Sequence, residues 1–261
     1  MKKIKKSLPP NNLTLYLQNY PRDDWDDFRD SNQGNDYQVI KTLIFSEQGG
    51  LCAFCESEVN DTHTQRVEHF HPKSDKTNPN HNWALDWWNV IGVCLGGSGF
   101  DTDKTIHPLP ANLSCDAYKD HLIIKKKLHV NCEGYLFNPL NLPANACLFD
   151  LDKRTGELKP KGNYDDVVLE LKNNYNTISE LVEKTIEHLN LNCDRLNQQR
   201  LAVLKQYNQE VAKARKSGDK TVFTTLANRW FQQKWLPLFT TRRILLGHHA
   251  ENYLSSYGYN G

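Results

Sequence analysis

The sequence predicts an α+β protein in which a small metal-stabilised domain precedes a helical bundle. The region from Cys52 to Lys119 is dense in Cys, His, Trp and Gly, with short apolar runs and no long helical pattern. Segments of this kind depend on a bound metal more than on a hydrophobic core. After Gly162, by contrast, apolar residues recur at helical spacing. A short hairpin is predicted between the two regions, around the turn Lys153–Gly156.

The 261 residues divide on this basis into four parts. Residues 1–47 form an N-terminal arm, which is polar, interrupted by prolines and expected to contain one short helix, followed by a helix over Tyr37–Ser46 that Gly49 and Gly50 end. Residues 48–130 form the metal-stabilised domain, and residues 131–162 form connecting strands with the hairpin. Residues 163–261 form a helical accessory domain.

Three apolar stripes and a short final segment predict the helices of this last part. The stripes are Val168, Leu171, Tyr175, Ile178, Leu181 and Val182; Leu196, Val203, Leu204, Tyr207 and Val211, ended by Ser217-Gly218; and Phe223, Leu226, Trp230 and Trp235, ended by Pro237; the last segment is Ile244–Leu254. Such stripes usually form the core of a bundle. The aromatic residues Trp230, Phe231 and Trp235 also suggest a docking surface, since tryptophan is enriched at interfaces.

Composition and charge indicate an ordinary globular protein that acts in the cytoplasm. Hydrophobic residues make up 38% of the chain and charged residues 24%, and no run reaches the roughly 18 apolar residues of a membrane span. The basic N-terminus lacks the apolar segment of a secretory signal. A net charge of +1 does not favour a generally basic nucleic-acid binder. The basic clusters at Lys2–Lys6, Lys125–Lys127 and Arg242-Arg243 are interpreted as solvated surface.

Four of the seven cysteines predict a structural zinc site. Cys52 and Cys55 are two residues apart, and Cys94 and Cys115 are the candidates for the second pair. Four thiolates close a tetrahedral site that has no open position for catalysis. The alternatives are a redox Cys-X-X-Cys pair, or Cys132 as the fourth ligand in place of Cys115. The remaining thiols are interpreted as small buried apolar side chains, at Cys147 and Cys193.

The residues between these cysteines carry a family resemblance. The order CxxC, acid-His-x-x-Pro, Asn-Val, Cys and Cys-Asp-x-x-Lys resembles the HNH endonucleases. Four segments resemble, more narrowly, the retron-associated HNH family, which includes the nuclease subunit of the Septu anti-phage defence system. These are Glu47–Glu56, Val67–Ser74, Trp87–Ile91 and Glu187–Arg200. The resemblance covers residues 38–205, although an insert of about twenty residues separates Cys94 from Cys115, whose pair is compact in other HNH domains.

The resemblance implies a zinc-stabilised ββα-metal nuclease fold for residues 48–130. His69 is the expected general base, because imidazole titrates near neutrality and can accept a proton from water. By resemblance, Glu68 and Asp116 hold a catalytic Mg²⁺ or Mn²⁺, a pairing of carboxylates with a hard cation. Asn89 matches the family's middle Asn, which braces the loop against the hairpin. His71, Lys73 and Lys119 are candidate phosphate contacts; the alternatives are that His71 orients the base or is a surface histidine, and that the two lysines are solvated.

The resemblance also implies partners and leaves the substrate open. The expected function is that of an effector nuclease, with DNA favoured as substrate, acting beside an ATPase related to the SMC and ABC families in anti-phage defence. One alternative keeps the same site but cleaves RNA, including tRNA, as part of a retron. The other is an inactive zinc-ribbon adaptor for the ATPase. The presence of Glu68, His69 and Asp116 together favours the enzyme over the adaptor.

Overall fold

A computed structural model describes residues 1–100, 102–145, 147–164, 171–232 and 235–261 of the chain. It is a mixed α+β structure with two small antiparallel sheets and mainly helical surroundings. The helices and strands are α1 (Asn11–Asn19), α2 (Trp25–Asp30), α3 (Asn35–Glu47), β1 (Arg66–His69), β2 (Val90–Val93), α4 (Cys115–Ile124), β3 (Phe149–Leu151), β4 (Leu158–Pro160), α5 (Ile178–His188), α6 (Asp194–Ser217), α7 (Val222–Phe231), α8 (Phe239–Leu246) and α9 (His248–Ser256).

The N-terminal segment contains more structure than the sequence predicts for an arm with one short helix. Helix α2 begins with a capping box, in which the Asp24 carboxylate accepts hydrogen bonds from the backbone of Asp26 and Asp27. Its apolar face is buried at Trp25 and Phe28 and packs against α3. The polar composition of the segment concealed this face, because only a few large apolar side chains carry it.

The basic residues of this segment are also not all solvated. Lys2 and Lys6 are buried, and their ammonium groups lie over the rings of Trp235 and Trp87. Lys6 Nζ donates hydrogen bonds to the carbonyls of Trp87 and Val90, at the start of β2. At the other end of the chain, Arg242 and Arg243 are buried as well. The interpretation of these residues as solvated surface is therefore wrong, whereas Lys125–Lys127 are exposed as predicted.

Strands β1 and β2 and helix α4 form a ββα unit at the centre of the chain. The strands pair antiparallel, with Glu68 opposite Ile91 and His69 opposite Val90. All four residues of β2 are buried, whereas its partner β1 is partly exposed. Strand β2 is therefore the inner strand of this two-stranded sheet. Helix α4 follows the insert and begins directly at Cys115.

The predicted hairpin is confirmed. Strands β3 and β4 pair antiparallel with Phe149 opposite Pro160 and Leu151 opposite Leu158. Gly156 closes the turn with φ of 79°, a conformation that favours glycine.

The helical part agrees with the predicted stripe in α6, and with the stripe in α7 as far as Trp230, since α7 ends at Phe231 and Trp235 is not helical. Helix α6 ends at Ser217, where Gly218 adopts φ of 71°, as the sequence predicts. The helix predicted from the first stripe starts too early, since Leu171 and Tyr175 are not helical and α5 begins after the capping residue Thr177. Val168 of that stripe lies outside the described residues. The predicted last helix is divided, because Gly247 with φ of 54° separates α8 from α9.

One buried apolar cluster joins the central unit to the helical part. It includes Phe54, Ile91, Phe149, Leu181 and Leu196, which come from the cysteine loop, β2, the second hairpin, α5 and α6. Trp230 and Phe231 are buried in a neighbouring cluster with Phe239. The interpretation of these two aromatic residues as a docking surface is therefore wrong. None of the helices in the described ranges is long and apolar enough to cross a membrane.

Candidate active site and zinc site

The four cysteines singled out in the sequence come together in one cluster. The Sγ atoms of Cys52, Cys55, Cys94 and Cys115 all lie within 4.8 Å of one another. The Sγ–Sγ distances are 3.8 Å for Cys52–Cys115, 3.7 Å for Cys55–Cys94 and 3.8 Å for Cys94–Cys115. Four sulfurs placed about 2.3 Å from a central Zn²⁺ at tetrahedral angles are about 3.8 Å apart. The cluster therefore has the dimensions of a tetrathiolate zinc site.

Local backbone geometry positions each pair of sulfurs. Cys52 and Cys55 lie on a turn in which the Glu56 N–H donates to the Cys52 carbonyl. Cys94 follows β2 directly, and its Sγ accepts a hydrogen bond from the Gly96 N–H at 3.3 Å. The chain returns after the insert with Ser114 N–H bonded to the Gly96 carbonyl, which places Cys115 beside Cys94. The insert is thus closed at its base.

Within the cluster the pKa of Cys55 is lowered, whereas burial and the neighbouring cysteines raise the pKa values of Cys94 and Cys115. Side-chain hydrogen bonds from Cys115, Cys52 and Cys94 lower the pKa of Cys55 well below its usual value, against the opposing effect of burial. Thiolates are the form that binds metal. Cys132, the alternative fourth ligand, is buried outside the cluster and donates to the carbonyl of His129.

Glu68 and Asp116 face each other across the ββα unit, with Lys119 between them. Glu68 lies on β1, and Asp116 and Lys119 lie one turn apart on α4. Lys119 Nζ donates a short hydrogen bond to Glu68 Oε1 and lies 3.0 Å from Asp116 Oδ1. Arg66 lies 3.3 Å from Asp116 Oδ2. The Asp116 side chain is 1% exposed, so its carboxyl group lies inside the protein.

The proximity of the partly buried Glu68 and the buried Asp116 raises the affinity of the site for positive charge. Burial and the negative charge of Asp116 raise the pKa of Glu68 to about 8, against the opposing effect of Lys119. Burial lowers the pKa of Lys119, but the charges of Glu68 and Asp116 outweigh burial and raise it above its ordinary value. In this structure Lys119 therefore pairs with both acids.

His69 is the last residue of β1. One of its ring nitrogens is hydrogen-bonded to the backbone, and the other carries a lone pair that can accept a proton. Its Nε2 lies 2.9 Å from the Ala84 carbonyl oxygen, which can only accept, so Nε2 carries the proton in this contact. The lone pair is then on Nδ1. The edge of the ring meets Trp25 of α2, with the ring centres 4.9 Å apart. Burial lowers the pKa of His69 to about 4, so the imidazole is neutral at physiological pH.

Asn89 and His71 support the loop behind His69 and do not line the cleft. The Asn89 carboxamide accepts from the His71 N–H and donates to the carbonyls of His71 and Trp83. The His71 ring is buried, stacks on Trp83, and has Asp75 and Glu133 at its two nitrogens. Asn89 thus has the geometry of a brace, and His71 has no free nitrogen to offer to phosphate.

A cleft of about 540 Å³ opens in front of β1. Glu68, His69, Lys73 and Lys119 line it. Lys73 is partly exposed and its ammonium lies 3.1 Å from Asp26 on α2. Part of the lining was missed by the sequence interpretation, and it comes from α2 and from the first residues of α3 and β1. It consists of Trp25, Asp26, Arg29, Tyr37 and Arg66.

No family model matches the chain. The chain is 39% identical over 212 residues to a protein of Escherichia coli named as an HNH endonuclease of the retron Ec83, and the match covers 80% of this chain and 81% of that protein. HNH endonucleases are hydrolases that cleave the phosphodiester bonds of nucleic acids. The ββα unit, the cysteine cluster and the Glu68-His69 pair described above lie together in this chain. The chain belongs to the HNH endonuclease family.

Proposed function

We propose that this endonuclease is metal-dependent, with His69 as the general base and a divalent cation held by Glu68 and Asp116. The observation that supports the proposal is the pairing of Glu68 and Asp116 with one lysine, beside a cleft that Glu68 and His69 line. His69 and Glu68 line the cleft, and Asp116 faces Glu68 from α4 with only the Lys119 ammonium between them.

The donor set fits a hard divalent cation. Both oxygens of Asp116 are buried and make no hydrogen bond of good geometry, although two cationic side chains lie near them. Carboxylate oxygens are the ligands that Mg²⁺ and Mn²⁺ prefer. When bound, the cation polarises the scissile phosphate and stabilises the charge that develops on the leaving oxygen.

The protein supplies the proton acceptor. The Ala84 carbonyl holds the His69 proton on Nε2, which directs the Nδ1 lone pair to accept a proton from the attacking water. Asn89 fixes the loop between His71 and Trp83, and so holds the Ala84 carbonyl in place beside His69. Zn²⁺ at the four cysteines has no open position and would serve the fold.

The test of this function is cleavage by the His69→Ala variant. We expect the variant to lose at least a hundredfold in rate, the lower range of a general base's contribution, while it keeps one zinc per chain and the wild-type circular dichroism spectrum. His81→Ala is the matched control, because His81 pairs with Asp86 outside the cleft. Wild-type rates in the His69→Ala variant would refute the assignment.

The same assay compares substrates. We propose DNA as the substrate, and the assay includes duplex DNA, single-stranded DNA and RNA with tRNA, each with Mg²⁺ or Mn²⁺. The relative named for a retron supports a retron link, and the alternative is a retron effector that cuts RNA with the same residues. Cleavage of RNA or tRNA with intact DNA would replace the first candidate by the second.

We further propose that the enzyme is an effector of an ATPase-linked anti-phage system of the retron or Septu kind. The quoted motifs and the retron-named relative support this placement. An inactive adaptor is less favoured, because an adaptor needs the cysteine cluster but has no need of a base and two facing carboxylates. Co-purification with an SMC-like ATPase, followed by recovery of cut fragments in infected cells, tests the placement.

A further inference from the structure

The position of Lys119 suggests a role beyond the phosphate contact that the sequence predicts. Its side chain is 7% exposed, and its ammonium reaches one oxygen of Glu68 and one of Asp116. The ammonium thus lies between the two carboxylates that the proposed function assigns to the cation. A cation of Mg²⁺ size needs oxygens at about 2.0–2.1 Å. The ammonium and the divalent cation therefore cannot occupy this position together.

The side chain of Lys119 has space to move. It borders the 540 Å³ cleft as well as the two carboxylates, and lysine carries its charge on a flexible four-carbon chain. An ammonium that leaves the carboxylates can turn into the cleft, where the phosphate of the substrate would lie. Arg66, the other cation beside Asp116, contacts the opposite oxygen, Oδ2, and is partly exposed, so it does not block the position.

We propose that Lys119 is an internal counter-ion that competes with the divalent cation for Glu68 and Asp116. This inference rests on the proposed function, since it takes those residues as the cation ligands. Without the divalent cation, the ammonium holds the two carboxylates together and keeps the ββα unit folded. Cation binding displaces the ammonium into the cleft, where substrate phosphate becomes its partner. Cation and substrate consequently strengthen each other's binding, because both favour the displaced position of Lys119.

The test measures Mn²⁺ binding by isothermal titration and by electron paramagnetic resonance, without substrate, on zinc-loaded protein in chelator-free buffer. Lys119→Met is expected to bind Mn²⁺ at least tenfold more tightly than the wild type, because the competing ammonium is gone. The matched control is Lys125→Met, which removes an exposed charge at the end of the same helix and is expected to leave the affinity within twofold.

Stability supplies a second readout. Lys119→Met leaves the two carboxylates without their ammonium, so its melting temperature is expected to fall in metal-free buffer and to recover with Mn²⁺. If Lys119→Met does not fold without Mn²⁺, Lys119→Gln, which keeps a hydrogen-bond donor, is titrated instead. Suppose that the wild type binds Mn²⁺ and that Glu68→Gln abolishes this binding. If the uncharged Lys119 variants then bind Mn²⁺ no more tightly than the wild type, the counter-ion role alone is overturned. Absence of Mn²⁺ binding in the wild type overturns both the counter-ion role and the proposed cation site.

Discussion

At the residue scale, the surroundings of His69 determine when it can act as a base. Trp25 covers one edge of the ring, and burial lowers the pKa of the imidazole to about 4. A lowered pKa means that the neutral form, with its free Nδ1 lone pair, persists into more acidic solution than the usual value of about 6.5 allows. The cost is a weaker base, which is consistent with a water molecule that a nearby cation makes more acidic.

The pH dependence of cleavage follows from this shift. With saturating Mn²⁺, which favours ionised Glu68, we expect the acid limb of the kcat/KM profile to lie well below pH 6.5, towards pH 4. Trp25→Ala, which opens the edge of the ring to water, should move the limb upward. Zinc content is measured at each pH, so that a fall in rate caused by loss of zinc from the thiolates can be recognised. An acid limb at 6.5 or above in the wild type would contradict the buried, neutral imidazole.

At the scale of the elements, the sequence predicted correctly the features that depend on residues close together in the chain. The Cys52-Ala-Phe-Cys55 spacing, the Lys153–Gly156 turn and the glycine after α6 each act through neighbouring residues. His71 shows the limit of such reasoning. Alternation along a strand places it on the face of His69, but β1 ends at His69, and the next residues turn inward toward Asp75 and Glu133.

The cleft wall formed by α2 and α3 could not be predicted for a related reason. Trp25, Arg29 and Tyr37 are about 30 to 45 residues from His69 in the chain, and no periodicity connects them to it. Their place depends on how the apolar face of α2 packs on α3. Long-range packing of this kind also buries Lys6 against Trp87. The charge of the N-terminal lysines alone predicts that Lys6 is exposed to solvent.

Zinc binding by the cysteine cluster is testable with two thiol variants. Cys52→Ala removes one of four sulfurs that meet at zinc-site distances, and we expect it to lose zinc and to unfold the ββα unit, since structural zinc contributes on the order of 10 kcal/mol to small domains. Cys132→Ala removes a buried thiol outside the cluster, and it should keep one zinc per chain. Zinc is measured by mass spectrometry of metals after gel filtration. Zinc-free but folded Cys52→Ala protein would argue against a structural metal.

At the scale of the whole molecule, the helical part is joined to the cysteine cluster by buried hydrogen bonds. The Cys115 N–H donates to the Leu189 carbonyl at the end of α5. On the other side of the cluster, the Glu56 carboxylate accepts from both the backbone and the hydroxyl of Thr240 on α8. The continuous apolar cluster runs between the same parts. An accessory domain connected only by a linker would lack such contacts.

Zinc removal should therefore loosen the helical part together with the nuclease unit. On titration with a chelator, we expect the far-ultraviolet helical signal and the amide hydrogen-exchange protection of α5 and α8 to fall in the same transition in which zinc is lost. The reason is that Cys115 and Glu56 lie on the segments that the metal fixes, and their partners lie on α5 and α8. Thr240→Val, which removes the hydroxyl donor to buried Glu56, should shift this transition to lower chelator concentration, whereas Thr224→Val at an exposed site of α7 should not. Full protection of α5 and α8 in zinc-free protein would show that the bundle folds independently of the metal.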